Sequence, residues 1–133
     1  MQDAAVASAV TSPKRFVERK RVLIVDDNVT LASILRRFLN RRGYSVSVAG
    51  TLHSARELCR MMIPSVVISD YNLPDGNGLT LLDELRAAGF CGKILLMTAY
   101  DTEWLASEAI CRGASAFLCK PVPLDTLATL IGA

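Results

Sequence analysis

The chain has 133 residues, 51% of them hydrophobic, with a formal net charge of +2. That length suits one domain and that hydrophobic share supports a real core, which excludes a disordered chain, and the near-neutral charge gives no strong pull toward nucleic acid or anionic lipid. No apolar stretch reaches the roughly 18 residues needed to cross a membrane, and the apolar residues 4–10 follow Asp3 rather than a basic segment, which argues against a secretory signal.

Residues 1–19 are small, polar and then basic, with Pro13 before Lys14-Arg15-Phe16, and read as a flexible leader or linker. A short helix from Phe16 to Lys20 is the alternative. After that leader comes one unit over residues 20–133, in which short apolar runs alternate with segments of helical period. Val22-Leu23-Ile24-Val25 is the first strand. A helix from near Thr30 follows, with Leu31, Ile34, Leu35, Phe38 and Leu39 on one stripe and a stop at Gly43. Val46 and Val48 alternate as in an edge strand, and Ala55, Leu58, Cys59 and Met62 mark the second helix, ended before Pro64. The run Val66-Val67-Ile68-Ser69 leads into Asp70. A Gly/Pro-rich loop then opens a third helix through Leu79, Leu82 and Leu85. Ile94-Leu95-Leu96-Met97 is the fourth strand, Leu105, Ala109 and Ile110 mark the fourth helix, and Ala116-Phe117-Leu118-Cys119 is the fifth strand. Leu124, Leu127, Ala128 and Ile131 mark a short last helix, consistent with a native chain that continues past Ala133.

Five βα units in succession imply a parallel sheet with right-handed crossovers and helices on both faces. In such a sheet the carboxyl ends of the strands share one edge, and ligands bind there. Asp26 and Asp27 follow the first strand, Asp70 the third, Thr98 the fourth and Lys120 the fifth. Three acids, a hydroxyl and an amine at one crevice can hold a divalent cation, offer a carboxylate nucleophile and neutralise a phosphoryl group. Taken singly, Asp26-Asp27 also reads as a helix cap, Asp70 as a loop acid and Lys120 as a solvated strand end.

These pieces, Val25-Asp26-Asp27-Asn28, Asp70-Tyr71-Asn72-Leu73-Pro74-Asp75-Gly76-Asn77-Gly78, Thr98-Ala99 and Lys120-Pro121, resemble a response-regulator receiver domain of two-component signalling over about Arg21 to Ile131. The resemblance implies a flavodoxin-like doubly wound (βα)5 fold with five parallel strands in the order 2-1-3-4-5. It implies Asp70 as phosphoacceptor, and Mg²⁺ held by Asp27, Asp70 and the Asn72 backbone carbonyl, with Asp26 acting largely through water. Lys120 and Thr98 would meet the phosphoryl oxygens, Lys120 as a point charge. Ala99 would leave room for the entering group, and Pro121 falls where the family has a cis peptide. Thr98 and Phe117 fall at the positions of the family's switch, which reshapes the surface of the fourth helix, fifth strand and fifth helix. Asn72 and Tyr100 would flank the path of water to the acyl phosphate, with Tyr100 shielding it.

The scattered cysteines point to a cytoplasmic protein, and the resemblance further implies that it takes its phosphoryl group from a sensor histidine kinase and acts on a downstream protein, as a monomer or a phosphorylation-dependent dimer. It would catalyse only its own phosphorylation and dephosphorylation. The alternatives are a phosphorelay shuttle serving a histidine phosphotransfer protein, which uses the same residues, and an aspartyl-nucleophile phosphatase. The latter carries Asp-x-Asp after the first strand, and Asp26-Asp27-Asn28 lacks it. Phe117 also reads as plain core and Trp104 as either a partner anchor or a local contact at the fourth helix. His53 reads as an exposed surface residue, and Gly76 and Gly78 as turn residues rather than a phosphate cradle. Cys59, Cys91, Cys111 and Cys119 lack zinc-ligand spacing and read as buried or half-buried reduced thiols. The basic stretch from Lys14 to Arg21 is too short to argue DNA contact by this domain.

Overall fold

A computed structural model describes residues 19–99 and 102–132. The leader expected over residues 1–19, except Arg19, and the shielding residue Tyr100 lie outside the described residues. Five strands pair in parallel: β1 (Arg21–Val25), β2 (Ser45–Ala49), β3 (Val66–Asp70), β6 (Lys93–Thr98) and β7 (Ala116–Cys119), in the order β2-β1-β3-β6-β7. Counting parallel strands alone, that order is 2-1-3-4-5, and the fold is flavodoxin-like. The helices are α1 (Val29–Arg41), α2 (Leu52–Met61), α3 (Gly78–Ala87), α4 (Glu103–Cys111) and α5 (Leu124–Gly132).

Side chains alternate across a strand, so each strand supplies both faces of the sheet. Leu23, Val25, Val67, Ile94 and Leu96 pack with Ala55, Leu79, Leu82, Leu105 and Ala109 from α2, α3 and α4. Val22, Ile24, Val66, Ile68, Leu95 and Met97 pack on the other face with Leu35, Leu39, Leu127 and Ile131 from α1 and α5. Fully burying one such side chain contributes about 1.5–3 kcal/mol. The central strands are apolar throughout because both their faces are covered. Edge strand β2 instead alternates, with Ser45 and Ser47 exposed.

The helical stripes are narrower than the sequence implies. In α1 the buried residues are Ala32, Leu35 and Leu39, while Ile34 is 49% exposed. One residue turns an α-helix by about 100°, which carries Ile34 off the stripe. The same offset exposes Ile110 beside buried Leu105 and Ala109, and Met62 is exposed because it lies past the end of α2. Three of the four cysteines, Cys91, Cys111 and Cys119, are exposed rather than buried; Cys59 is half-buried, and burial raises its thiol pKa.

The loop after β3 is not irregular. It contains a two-residue antiparallel ribbon, β4 (Asn72–Leu73) with β5 (Gly76–Asn77), which runs straight into α3. Farther from this edge, the Arg86 guanidinium donates to the carbonyls of Gly113, Phe90 and Gly92, fastening the end of α3 to the turns before β6 and β7.

Candidate phosphoryl-acceptor site

Parallel pairing sets the ends of the strands level. Val25 is in register with Ser69, Asp70 with Met97, and Thr98 with Cys119. The reversal of strand order falls between β1 and β3, where an open α/β sheet has its crevice. Asp26 and Asp27 leave β1 on one side of that crevice, and Asp70 ends β3 on the other. Oxygen atoms of the three carboxylates lie within 4.8 Å of one another.

Asp26 and Asp70 are buried and Asp27 is exposed. The Asp26 side chain is fully buried, and its Oδ1 accepts the Asn28 N–H at 2.9 Å. Helix capping falls to Asn28 instead of the acid pair, since the Leu31 N–H donates to Asn28 Oδ1 at 3.1 Å. Neither acid is drawn into capping α1. Asp70 Oδ1 accepts the Asn72 N–H at 3.3 Å, and the Tyr71 N–H donates to the Met97 carbonyl at 2.7 Å, fixing the chain just past the strand.

Lys120 crosses from β7 to close the site. Its Nζ donates to Asp26 Oδ2 and to Asp70 Oδ2, each at 3.0 Å. Burial opposes its charge, yet the hydrogen bonds and charges of Asp26 and Asp70 outweigh burial, so its pKa lies above the ordinary lysine value. The Lys120 N–H donates to the Thr98 carbonyl at 2.7 Å, which ties the two strand ends, and the Lys120–Pro121 peptide is cis as the resemblance implies. Thr98 is fully buried. Phe117 is half-buried and packs against the cluster formed with α2, α3 and α4.

Gly78 brings α3 against this edge. A Cβ there would lie 2.6 Å from the Asp70 carbonyl oxygen and 2.5 Å from Leu96 Cδ1, so close approach of the backbone requires glycine. His53 sits exposed on α2 and Trp104 is 65% exposed on α4. Asp26 and Asp27 border an open depression of about 470 Å³ lined also by Val48, Gly50, Thr51 and Pro74. A larger apolar cavity, about 650 Å³, lies at the opposite end of the sheet among Cys59, Ile63, Pro64, Leu85 and Phe90.

Two residues that sequence reasoning did not single out also shape this edge. Asn77 accepts the Thr80 N–H and caps α3, and Asp75 accepts the N–H groups of both Leu52 and His53 at the start of α2. Pro74-Asp75-Gly76 is a turn signal, but its long-range partner on α2 has no local signature.

Level strand ends, a crevice at the point of reversal, and acids bridged by a lysine define a phosphoryl-accepting signalling module. The chain belongs to the response regulator receiver domain family, whose model matches residues 22–132. Transcriptional regulatory protein ZraR from Escherichia coli (strain K12) is 34% identical over 106 residues, covering 80% of this chain and 24% of ZraR. The chain thus spans about a quarter of the length of that curated relative. A response regulator from Burkholderia pseudomallei, solved with a phosphorylated aspartic acid, calcium ion and citrate, is similar with a TM-score of 0.79 and 30% identity, over 84% of this chain and 66% of that one. The beryllofluoride-activated NtrC4 receiver domain dimer gives a TM-score of 0.80 at 29% identity, over 84% and 93%. This is a receiver domain of the two-component response regulators, and such domains are in general regulatory modules rather than enzymes.

Proposed function

We propose that Asp70 is the residue that takes the phosphoryl group, from a sensor histidine kinase, and that residues 20–133 form the receiver unit behind a linker over residues 1–19. The observation that carries this reading is the placement of Lys120 Nζ 3.0 Å from both Asp26 and Asp70, with three carboxylates gathered at the carboxyl edge. A carboxylate oxygen of Asp70 attacks phosphorus, the new O–P bond forms as the P–N bond to the donor histidine breaks, and the histidine nitrogen leaves with the electron pair. Lys120 stands beside the attacking carboxylate and neutralises charge on the phosphoryl oxygens. Thr98, at the end of the adjacent strand, donates its hydroxyl to another of them.

The donor set suits a hard cation, because oxygen ligands of two or more carboxylates around a small gap match Mg²⁺. Asp27 and Asp70 would hold it with the Asn72 carbonyl, with Asp26 acting largely through water, and when bound it would offset the repulsion between carboxylates and phosphoryl oxygens. Thr98 and Phe117 form the switch: Thr98 moves toward the phosphoryl group and Phe117 turns into the space released. The surface of α4, β7 and α5 changes with them and is the contact for a downstream protein or a second copy. The NtrC4 receiver is a dimer when activated, which supports the second of these. The domain acts on no substrate other than itself and contacts no nucleic acid. No helix among the described residues is long and apolar enough to cross a membrane, in keeping with a cytoplasmic setting.

Incubation with phosphoramidate and Mg²⁺, followed by intact-mass measurement, tests this. One phosphoryl group should be added, should be removed by hydroxylamine, and should be absent when Mg²⁺ is chelated. Labelling that survives hydroxylamine or ignores chelation would overturn the reading.

A further inference from the structure

The two-residue ribbon β4–β5 carries Asn72 at one end and delivers the chain to α3 at the other. A ribbon this short has little stability of its own. Its position must come from what it is fastened to. Leu73 is buried at its base and Asn77 caps α3. At the tip Asp75 supplies the hydrogen bonds to α2: the Leu52 N–H donates to Asp75 Oδ1 at 2.8 Å and the His53 N–H donates to Asp75 Oδ2 at 3.0 Å. Both carboxylate oxygens are thus engaged by the first two N–H groups of α2, where the helix dipole favours an anion. The Leu52 N–H group accordingly leads the causes that hold the Asp75 carboxyl below its ordinary pKa.

The approach is also close at Gly76. Gly76 has a φ of +155°, and a Cβ on it would stand 2.5 Å from Leu52 Cδ1. The tip therefore lies directly on Leu52. Three residues before Asp75, the Asn72 N–H reaches Asp70 Oδ1 at 3.3 Å, a long and weak bond that cannot by itself hold the loop against the crevice. One turn along α2 from Leu52, Arg56 makes a two-pronged ion pair with Glu84 of α3, with Nε to Oε1 and Nη2 to Oε2 both 2.8 Å. The helix that grips the ribbon is thereby tied to the helix the ribbon leads into.

We infer that Asp75 is a positioning residue for the cation site: by anchoring the ribbon tip to α2 it presents the Asn72 carbonyl to the crevice beside Asp70. The inference rests on the reading of Asp26, Asp27, Asp70 and Asn72 as the Mg²⁺ ligands. Asp75 touches neither metal nor phosphoryl group and acts through the loop. Loss of such a supporting contact typically lowers metal affinity by 10–100-fold; a backbone ligand that is one among four argues for the lower end, about tenfold.

The experiment is a Mg²⁺ titration of the full chain followed by ¹H–¹⁵N NMR, in the parent, Asp75→Ala and Ser115→Ala. Ser115 accepts the Ile94 N–H at 3.1 Å at the opposite end of the sheet, so its variant removes one side-chain hydrogen bond without touching the ribbon or the crevice. Unfolding midpoints in urea give the stability lost in each. Asp75→Ala should bind Mg²⁺ about tenfold more weakly, with the Asn72 amide shifted before metal is added and faster amide exchange at Leu52 and His53. Ser115→Ala should bind as the parent does whatever stability it loses. Parent-like affinity in Asp75→Ala, or equal weakening in both variants, overturns the positioning role. A parent that binds no Mg²⁺ overturns the ligand assignment itself, and the positioning role with it.

Discussion

Lys120 holds together in the resting site what Mg²⁺ is proposed to hold in the working one. Its ammonium sits 3.0 Å from Asp26 Oδ2 and from Asp70 Oδ2, both carboxylates assigned to the cation. The lysine and the metal therefore compete for the same oxygens, while the phosphoryl group needs them both. Opposite effects on two measurements follow. Lys120→Met should bind Mg²⁺ more tightly than the parent, because the carboxylates lose their internal counter-ion. It should accept a phosphoryl group about 100-fold more slowly, the usual scale for deleting one preorganised charge at such a centre. Isothermal titration and stopped phosphoramidate labelling read the two. A simple folding defect would lower both, and weaker Mg²⁺ binding would count against the shared-oxygen assignment.

The elements divide into those written locally and those set by distant contacts. Strands β1, β3 and β6 were legible as apolar runs, and the acids, threonine and lysine were legible because each stands next to the end of its own run. Asn28, which takes the capping role open to Asp26-Asp27, was not distinguished, since an acid and an amide compete for a cap on equal terms. The β4–β5 ribbon was illegible because Asn72-Leu73 has no strand period, and its anchor on α2 comes from 22 residues away. Helix faces were read too widely: helical spacing put Ile34 on the α1 stripe and Ile110 among the apolar marks of α4, and both lie at the exposed margin of their helices. Paired substitutions check this on α1 and α3. Leu82→Ala, fully buried, should cost about 2–5 kcal/mol in urea unfolding, and Ile34→Ala no more than about 0.5 kcal/mol. A cost for Ile34→Ala near that of Leu82→Ala would place α1 differently on the sheet.

Across the whole molecule, the chemical site and the apolar cavity occupy opposite ends of one sheet. The acids, Thr98 and Lys120 lie at the carboxyl edge, and the apolar cavity around Phe90 lies at the other. Phe117, on β7, packs with the cluster that includes Leu105 and Ala109 of α4, and so lies between the site and the proposed output face. Trp104 on that face is the chain's one tryptophan and is well exposed, which makes it a reporter for the switch. Its emission should shift when the parent is phosphorylated, and Phe117→Ala should take up the phosphoryl group at the parent rate with that shift lost. A full shift in Phe117→Ala would remove Phe117 from the switch. The assignment on which the rest depends is the nucleophile, and mapping it is direct: phosphorylate with phosphoramidate and Mg²⁺, reduce the acyl phosphate with borohydride, and locate the reduced residue by peptide mass spectrometry. The expected result is one reduced aspartate, Asp70, and none in Asp70→Asn; reduction at Asp26 or Asp27 in the parent would contradict it.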